Sequence, residues 1–173
     1  VHVLDPYPSD WLKGTGVAIN ADLPDAPAIV LVAVKPQMMG DALPRLQQMG
    51  GGSTVFVSVA AGTTIAHFED VLGASTPIVR CMPNTPAAIG KGITAVIGND
   101  AVTARGVDEA VQLLQAGGQV VRLENEGQID AVTGVSGSGP AYVFHMIETL
   151  AAAAVAQGLP AEMAMQLAKA TVA

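Results

Sequence analysis

Apolar residues recur along this chain in two rhythms. Up to about residue 125, short unbroken apolar runs alternate with stretches in which apolar positions return every three or four residues. The first rhythm is that of strands buried on both faces, and the second is that of helices laid against them. Val1 to Asp5 reads as a short strand closed by the breakers Pro6-Tyr7-Pro8-Ser9-Asp10, so the chain is expected to begin in mid-strand, as if cut from a longer one. Ala28 to Val34 is rich in β-branched residues and is expected to be a central parallel strand covered on both sides. It ends at Lys35-Pro36. A helical stretch marked by Met38, Leu43 and Leu46 leads to a second buried strand, Thr54 to Val59, and Ala60-Ala61-Gly62 forces a tight exit. Thr64 then caps a helix whose Ile65, Phe68, Val71 and Leu72 face the sheet. Ile78 to Met82, Ile93 to Ile97 and Val120 to Leu123 are further strands, with a helix over Asp108 to Gln115 that turns Val111 and Leu114 inward.

Strand alternating with helix implies an α/β, Rossmann-like, doubly wound parallel sheet, whose ligand crevice opens at the carboxyl ends of the strands. Asp5, Lys35 and the Ala60-Ala61 turn would lie along that rim. From Gln128 the pattern is helical only: Ile129 and Val132, a break at Gly137-Ser138-Gly139-Pro140, then a helix carrying Val143, Met146, Ile147 and Leu150. Pro140 suits a first helical turn. A corner at Gly158-Leu159-Pro160 admits a last helix from Ala161. So apolar a pair has too little to cover it within the chain and is expected to bury its stripe against a second subunit. The expected division is residues 1–125 for the α/β part and 126–173 for the start of a helical domain.

Composition narrows the function. Half of the 173 residues are hydrophobic and 13% are charged, which excludes disorder, while aromatics at 3% leave Ala, Val, Leu and Gly to fill the interior. A net charge of −7, with eight Lys and Arg and no basic run, argues against nucleic acid. No apolar stretch approaches the roughly 20 residues of a membrane span, and Val1 to Asp5, short and followed at once by turn residues, is not expected to be part of a secretory leader. Cys81 is the single cysteine; it lies in an apolar run and reads as a buried thiol in a reducing compartment, the cytoplasm. His2, His67 and His145 fall in separate elements without ligand spacing, so no metal is expected. G-x-S-x-G, Walker and paired-carboxylate patterns are absent, which disfavours hydrolase and phosphotransferase chemistry.

Three local features could carry ligand chemistry. Asp5 follows a strand, where a carboxylate accepts hydrogen bonds from ribose hydroxyls and repels a 2′-phosphate; a turn-forming Asp is the alternative. In Val34-Lys35-Pro36 a charge follows a buried strand and a proline halts the ladder, a pattern that also suits a solvated loop lysine. In Met82-Pro83-Asn84-Thr85-Pro86, two prolines fix a turn that exposes an amide and a hydroxyl, either for a carboxamide or as a rigid connector.

Four motifs taken together are more specific. Ala33-Val34-Lys35-Pro36, Val59-Ala60-Ala61-Gly62, Arg80-Cys81-Met82-Pro83-Asn84-Thr85-Pro86 and Val132-Thr133-Gly134-Val135-Ser136-Gly137-Ser138-Gly139-Pro140-Ala141-Tyr142, in this order and separation, resemble pyrroline-5-carboxylate reductase from about Asn20 onward. The resemblance implies a Rossmann-like cofactor domain followed by a helical domain that forms an intertwined homodimer or a larger ring. It implies an enzyme reducing pyrroline-5-carboxylate to proline with NADPH, or NADH. By motif position, Asn20 would touch the adenosine ribose, Val34, Lys35 and Pro36 the middle of the cofactor, Ala60 and Ala61 its nicotinamide side, and Met82 and Asn84 the ring. Ser136, Gly137 and Ser138 would border the substrate.

Asp5 departs from the family and tilts the expectation toward NADH, so the cofactor is left as NADP with NAD possible. The family's glycine-rich pyrophosphate turn would precede Val1, and its Ser-Pro-Gly-Gly-Thr-Thr loop would follow Ala173. In relatives the hydroxyl best placed near the imine nitrogen is a threonine of that loop, so no catalytic acid is nominated in this chain. Two rivals remain: a β-hydroxyacid dehydrogenase type of reductase, for which Lys169 is the one candidate helix lysine, and an inactive dinucleotide-binding or dimerisation module.

Overall fold

The computed structural model describes residues 1–172. The chain opens with strand β1 (His2–Val3), a short helix α1 (Asp10–Lys13) and strand β2 (Ala18–Ile19), and the two strands pair in parallel as a small sheet of their own. The expected strand over Val1 to Asp5 therefore shrinks to two paired residues. Its partner β2 was not legible, because two residues carry no periodicity.

The main sheet has five strands in chain order: β3 (Ile29–Val32), β4 (Val55–Ser58), β5 (Ile78–Met82), β6 (Gly92–Gly98) and β7 (Gly118–Arg122). Strands β3, β4 and β5 run parallel, and β6 and β7 are parallel to each other, but β5 and β6 are antiparallel. The expected doubly wound, mainly parallel α/β sheet is present, and the β5–β6 junction is its one antiparallel pairing among the described residues. A parallel crossover takes about a dozen residues or more, and the Pro83–Lys91 link is shorter and folded into the 3₁₀ turn Thr85–Ile89. The link is also tight, since a Cβ on Gly92 would come within 2.7 Å of the Ala87 backbone.

Along β4 and β5, side chains alternate between two cores. Phe56 and Ile78 face a cluster with Leu43, Ile65, Phe68 and Leu72, whereas Val55, Val57, Val79 and Cys81 face a cluster with Val96 and Ala110. The first core is covered by 3₁₀ turns Pro36–Met38 and Leu43–Met49, the short helix α2 (Met39–Ala42) and helix α3 (Ile65–Leu72); the second is covered by helix α4 (Ala104–Leu114). Pro44 interrupts the expected single helix over Met38 to Leu46, because it lacks the N–H that an α-helical ladder needs. Thr64 caps α3 as expected, its hydroxyl accepting from the His67 N–H at 3.3 Å. Helix α4 begins four residues earlier than expected, because Thr103 caps it by accepting from the Gly106 N–H at 3.1 Å.

Strand β3 is the outer strand of the five, and Leu31 is 49% exposed, so the expectation of burial on both faces fails there. The apolar run reported burial potential, whereas coverage depends on what else packs on that strand. Beyond β7 the chain forms α5 (Gln128–Val132), a π-helical turn over Thr133–Gly137, α6 (Gly139–Ala156) and α7 (Ala161–Val172). The expected break at Gly137 to Pro140 is instead a continuous helical passage. The Ser138 N–H reaches back to the Thr133 carbonyl at 2.8 Å, so the wider turn admits Pro140 into the first turn of α6 without stopping the helix.

Candidate functional site

The parallel strands set out a ledge. Register pairs Val32 with Ser58 and Ser58 with Arg80, so two positions further on Val34, Ala60 and Met82 stand abreast at the carboxyl ends of β3, β4 and β5. Neighbouring parallel strands lie about 4.8 Å apart, which makes this row a continuous surface. Ala60 and Met82 are buried and Val34 is half-buried against the core, so the row is rigid. Ala61 is exposed, and Gly62 turns away with φ +74°, a left-handed conformation that suits glycine.

Lys35 and Pro36 stand exposed at one end of the row. Lys35 caps the 3₁₀ turn with extended backbone, and among the described residues it makes no ion pair, which leaves its ammonium for an anionic group. At the other end, Asn84 is half-buried and its side-chain oxygen accepts from the Ile93 N–H at 3.0 Å. The carboxamide is thereby fixed across the turn that joins β5 to β6.

Two further groups arrive from elsewhere in the chain. Gly137 lies against the row: a Cβ placed there would stand 3.8 Å from the Met82 sulfur. Ser136 and Ser138 flank it half-buried, and the Ser136 hydroxyl donates to the Val132 carbonyl at 3.2 Å. Asp5 and Asn20 meet each other on the small sheet. The Asp5 carboxylate accepts from the Tyr7 N–H at 2.8 Å, and Asn20 holds the Asp5 main chain. Beside them a polar cavity of about 500 Å³ is lined by Leu4, Asn20, Asp22, Arg45 and Gln48. The structure thus gathers the expected residues into two places, the row Val34–Ala60–Met82 with Gly137, and the Asp5–Asn20 corner.

Two residues that carry the geometry were not singled out from sequence. Arg80 is 6% exposed and its Nη1 donates to Glu126 Oε1 at 2.6 Å. That same oxygen accepts from the Ile65 N–H at 2.8 Å. A charge inside the apolar run Ile78 to Met82 was the available sign, because a buried guanidinium requires a partner.

Cys81 is fully buried, and burial pushes its thiol up to about 12, so it supplies no nucleophile. Among the described residues no cluster of His, Cys, Asp and Glu could hold a metal ion, and no helix is long and apolar enough to cross a membrane. Ala60 and Met82 are buried within the row, and Ala61, Lys35 and Pro36 are the exposed groups beside it that are open to a ligand. Helices α6 and α7 pack on each other but leave Tyr142, Phe144, Met146, Leu150, Met163 and Leu167 exposed.

A Rossmann-like α/β unit with a ledge at its strand ends, joined to helices with an uncovered apolar face, defines a two-part class: a dinucleotide-binding fold with a helical dimerisation domain. Comparison with known proteins gives the family. The family model for pyrroline-5-carboxylate reductase dimerisation matches residues 126–173. The chain is 42% identical over 166 residues to pyrroline-5-carboxylate reductase of Mycobacterium tuberculosis, covering 91% of this chain and 55% of the relative. It is 41% identical over 151 residues to the Pseudomonas aeruginosa protein of that name, covering 87% and 55%. Among solved structures, a pyrroline-5-carboxylate reductase from Coxiella burnetii superposes with a TM-score of 0.88 at 32% identity, covering 99% of this chain and 66% of that one. The Plasmodium falciparum pyrroline carboxylate reductase with NADP bound gives 0.86 at 28% identity, covering 99% and 64%. The chain belongs to the pyrroline-5-carboxylate reductase family and spans about half the length of the curated relatives it matches.

Proposed function

We propose that the protein carrying this chain reduces 1-pyrroline-5-carboxylate to L-proline at the expense of a reduced nicotinamide dinucleotide, NADPH or NADH. The observation that carries this reading is the meeting of the row Val34–Ala60–Met82 with Gly137. A planar ring laid on the row would be bordered by Met82 and would face the segment Ser136–Ser138, where a small cyclic imine can sit.

When bound, the cofactor supplies the electron pair that reduces the imine carbon. The residues of this chain do the rest by position. Lys35 would hold the anionic middle of the cofactor with its ammonium, while Pro36 ends the ladder and leaves the approach open. Ala60, with no side chain beyond Cβ, lets the ring lie close. Asn84, locked by the Ile93 N–H, presents its amide nitrogen at the turn. Met82 and Gly137 would exclude water from one side of the reacting carbons, which need to be held about 3 to 3.5 Å apart. Asp5 and Asn20 would border the adenosine end, with the Asp5 carboxylate favouring a free ribose over a 2′-phosphate.

The same reading divides the chain into residues 1–125 and 126–173, makes the protein a homodimer or a larger assembly through the exposed face of α6 and α7, and puts it in the cytoplasm. Lys169, the residue a β-hydroxyacid dehydrogenase type of reductase would need as acid, instead lines the groove between α6 and α7 with Phe144, Ile147 and Glu148. The experiment is to add pyrroline-5-carboxylate and NADPH or NADH to the full-length protein and to follow the absorbance of the reduced cofactor. Oxidation coupled to proline formation is expected. A folded full-length protein that binds cofactor but oxidises none would instead be an inactive binding module.

A further inference from the structure

We propose that Arg80 and Glu126 are positioning residues: their ion pair, buried on the Arg80 side and half-buried at Glu126, sets the spacing between the cofactor row and the segment Ser136–Ser138. The inference rests on the functional reading above.

Arg80 stands two positions before Met82 on β5, hence on the same face of the sheet, and its side chain is 7% exposed. Its Nη1 is 2.6 Å from Glu126 Oε1, which also accepts from the Ile65 N–H at the start of α3. One carboxylate oxygen therefore ties β5, α3 and the approach to the helical region at a single point. Glu126 lies in the turn two residues before a near-continuous helical run through α5, the π-helical turn and α6. Gly137, the residue that meets Met82, lies further along that run.

The run acts as a lever. The ten residues from Gln128 to Gly137 at helical rise span roughly 15 Å, so a tilt of about 4° at the base shifts Gly137 by about 1 Å. A misplacement of that size in a reaction site can cost on the order of 100-fold in rate.

Stability gives a weaker reason for the pair. The Arg80 Nε is buried and has no hydrogen-bond partner among the described residues, and ion pairs with a buried member often gain nothing over apolar residues of the same volume. What an apolar pair cannot reproduce is a directional bond at 2.6 Å shared with the start of α3.

The test uses the full-length protein with four variants: Glu126→Ala, Glu126→Gln, Arg80→Lys and the double apolar change Arg80→Met with Glu126→Leu. Glu126→Ala is expected to lower kcat about 10-fold or more while KM for the cofactor moves less than about threefold, because the reacting groups are displaced and not the cofactor. Glu126→Gln keeps an acceptor for both Arg80 and the Ile65 N–H and is expected to recover at least about half of that loss on a logarithmic scale. Arg80→Lys keeps the charge without the planar fork and is expected to resemble Glu126→Ala. The apolar double variant is expected to melt near the wild-type temperature and to remain slow.

Amide hydrogen exchange supplies a readout independent of turnover. Exchange over residues 128–138 is expected to quicken in Glu126→Ala, with the β4 and β5 amides unchanged. Wild-type kcat in Glu126→Ala or in the double variant would overturn the proposal, as would a loss of activity matched by the loss of folded protein. Should the wild type itself fail to oxidise cofactor with pyrroline-5-carboxylate, the functional reading falls, and the exchange result alone then decides whether the pair positions the helical run.

Discussion

Asn20 and Asp5 are joined reciprocally: the Asp5 N–H donates to Asn20 Oδ1 at 3.0 Å, and Asn20 Nδ2 donates to the Asp5 carbonyl at 2.8 Å. Asn20 reaches this geometry with φ +50°, and among the described residues it is the sole non-glycine with positive φ. Asparagine tolerates the left-handed region better than most residues, because its short amide can bond locally. The turn that presents the Asp5 carboxylate is thereby shaped from a neighbouring strand end.

Asn20→Ala removes both bonds and leaves the strained backbone without compensation. Exposed hydrogen bonds contribute about 0.5 to 1.5 kcal/mol each and a left-handed non-glycine costs about 1 kcal/mol, so a loss of about 2 kcal/mol is expected in urea unfolding. Asn20→Gly relieves the backbone alone and should fall between. Equal losses in the two variants would show that the conformation carries no strain.

Asp5 sets a cofactor preference under the proposed function. Asp5→Ser keeps an acceptor for the Tyr7 N–H but removes the charge that would face a 2′-phosphate. The ratio of kcat/KM for NADPH over that for NADH should rise about tenfold, equivalent to roughly 1.4 kcal/mol. Steady-state kinetics with both cofactors checks it, and an unchanged ratio would place the discriminating contact elsewhere.

Gly137 tests the meeting of the helical run with the row. A Cβ there would stand 3.6 Å from Thr133 Cγ2 and 3.8 Å from the Met82 sulfur, ordinary contacts, so Gly137→Ala should be tolerated and should gain up to about 1 kcal/mol from helix propensity. Gly137→Leu has no such room. It should lower kcat about tenfold by pushing Met82 off the row. Thermal melting and turnover of the two variants separate the effects.

The exposed face of α6 predicts assembly. Phe144 is more than half exposed, and its replacement by Glu puts a charge on each copy of a two-fold interface. Losing about 2 kcal/mol of apolar burial on each side should weaken dimerisation by about 100-fold or more. Sedimentation of the full-length variant should show monomer where the wild type is expected to be a dimer, and an unchanged dimer would place the interface elsewhere.

Cys81 predicts a pH limb. Its folded pKa lies above its unfolded value, so above the unfolded value the unfolded chain has lost a proton that the folded chain keeps. The stability this contributes is complete below about pH 8.5 and is lost as pH rises toward the folded value, at about 1.4 kcal/mol per unit. Urea unfolding between pH 8 and 10 should show this slope, and Cys81→Ala should flatten it. A thiol reagent should label Cys81 only on unfolding.

What was readable beforehand divides by the range of the interaction. The runs Thr54 to Val59 and Ile78 to Met82, the Thr64 cap and the inward positions Phe68 and Leu72 were legible because they rest on period and capping within a few residues. The motifs Val34-Lys35-Pro36, Ala60-Ala61 and Met82 to Pro86 were legible as candidates because each follows a strand. Their order along the chain carried the family resemblance.

Tertiary structure alone decided the rest. That β6 turns antiparallel depends on how a nine-residue link folds, and that Leu31 is exposed depends on β3 being the outer strand. The Asp5–Asn20 pair spans 15 positions and the Arg80–Glu126 pair spans 46. Local pattern shows only that a buried charge needs an opposite one, because hydrophobic period is a property of neighbours; which residue answers it is settled by the packing that brings distant segments together.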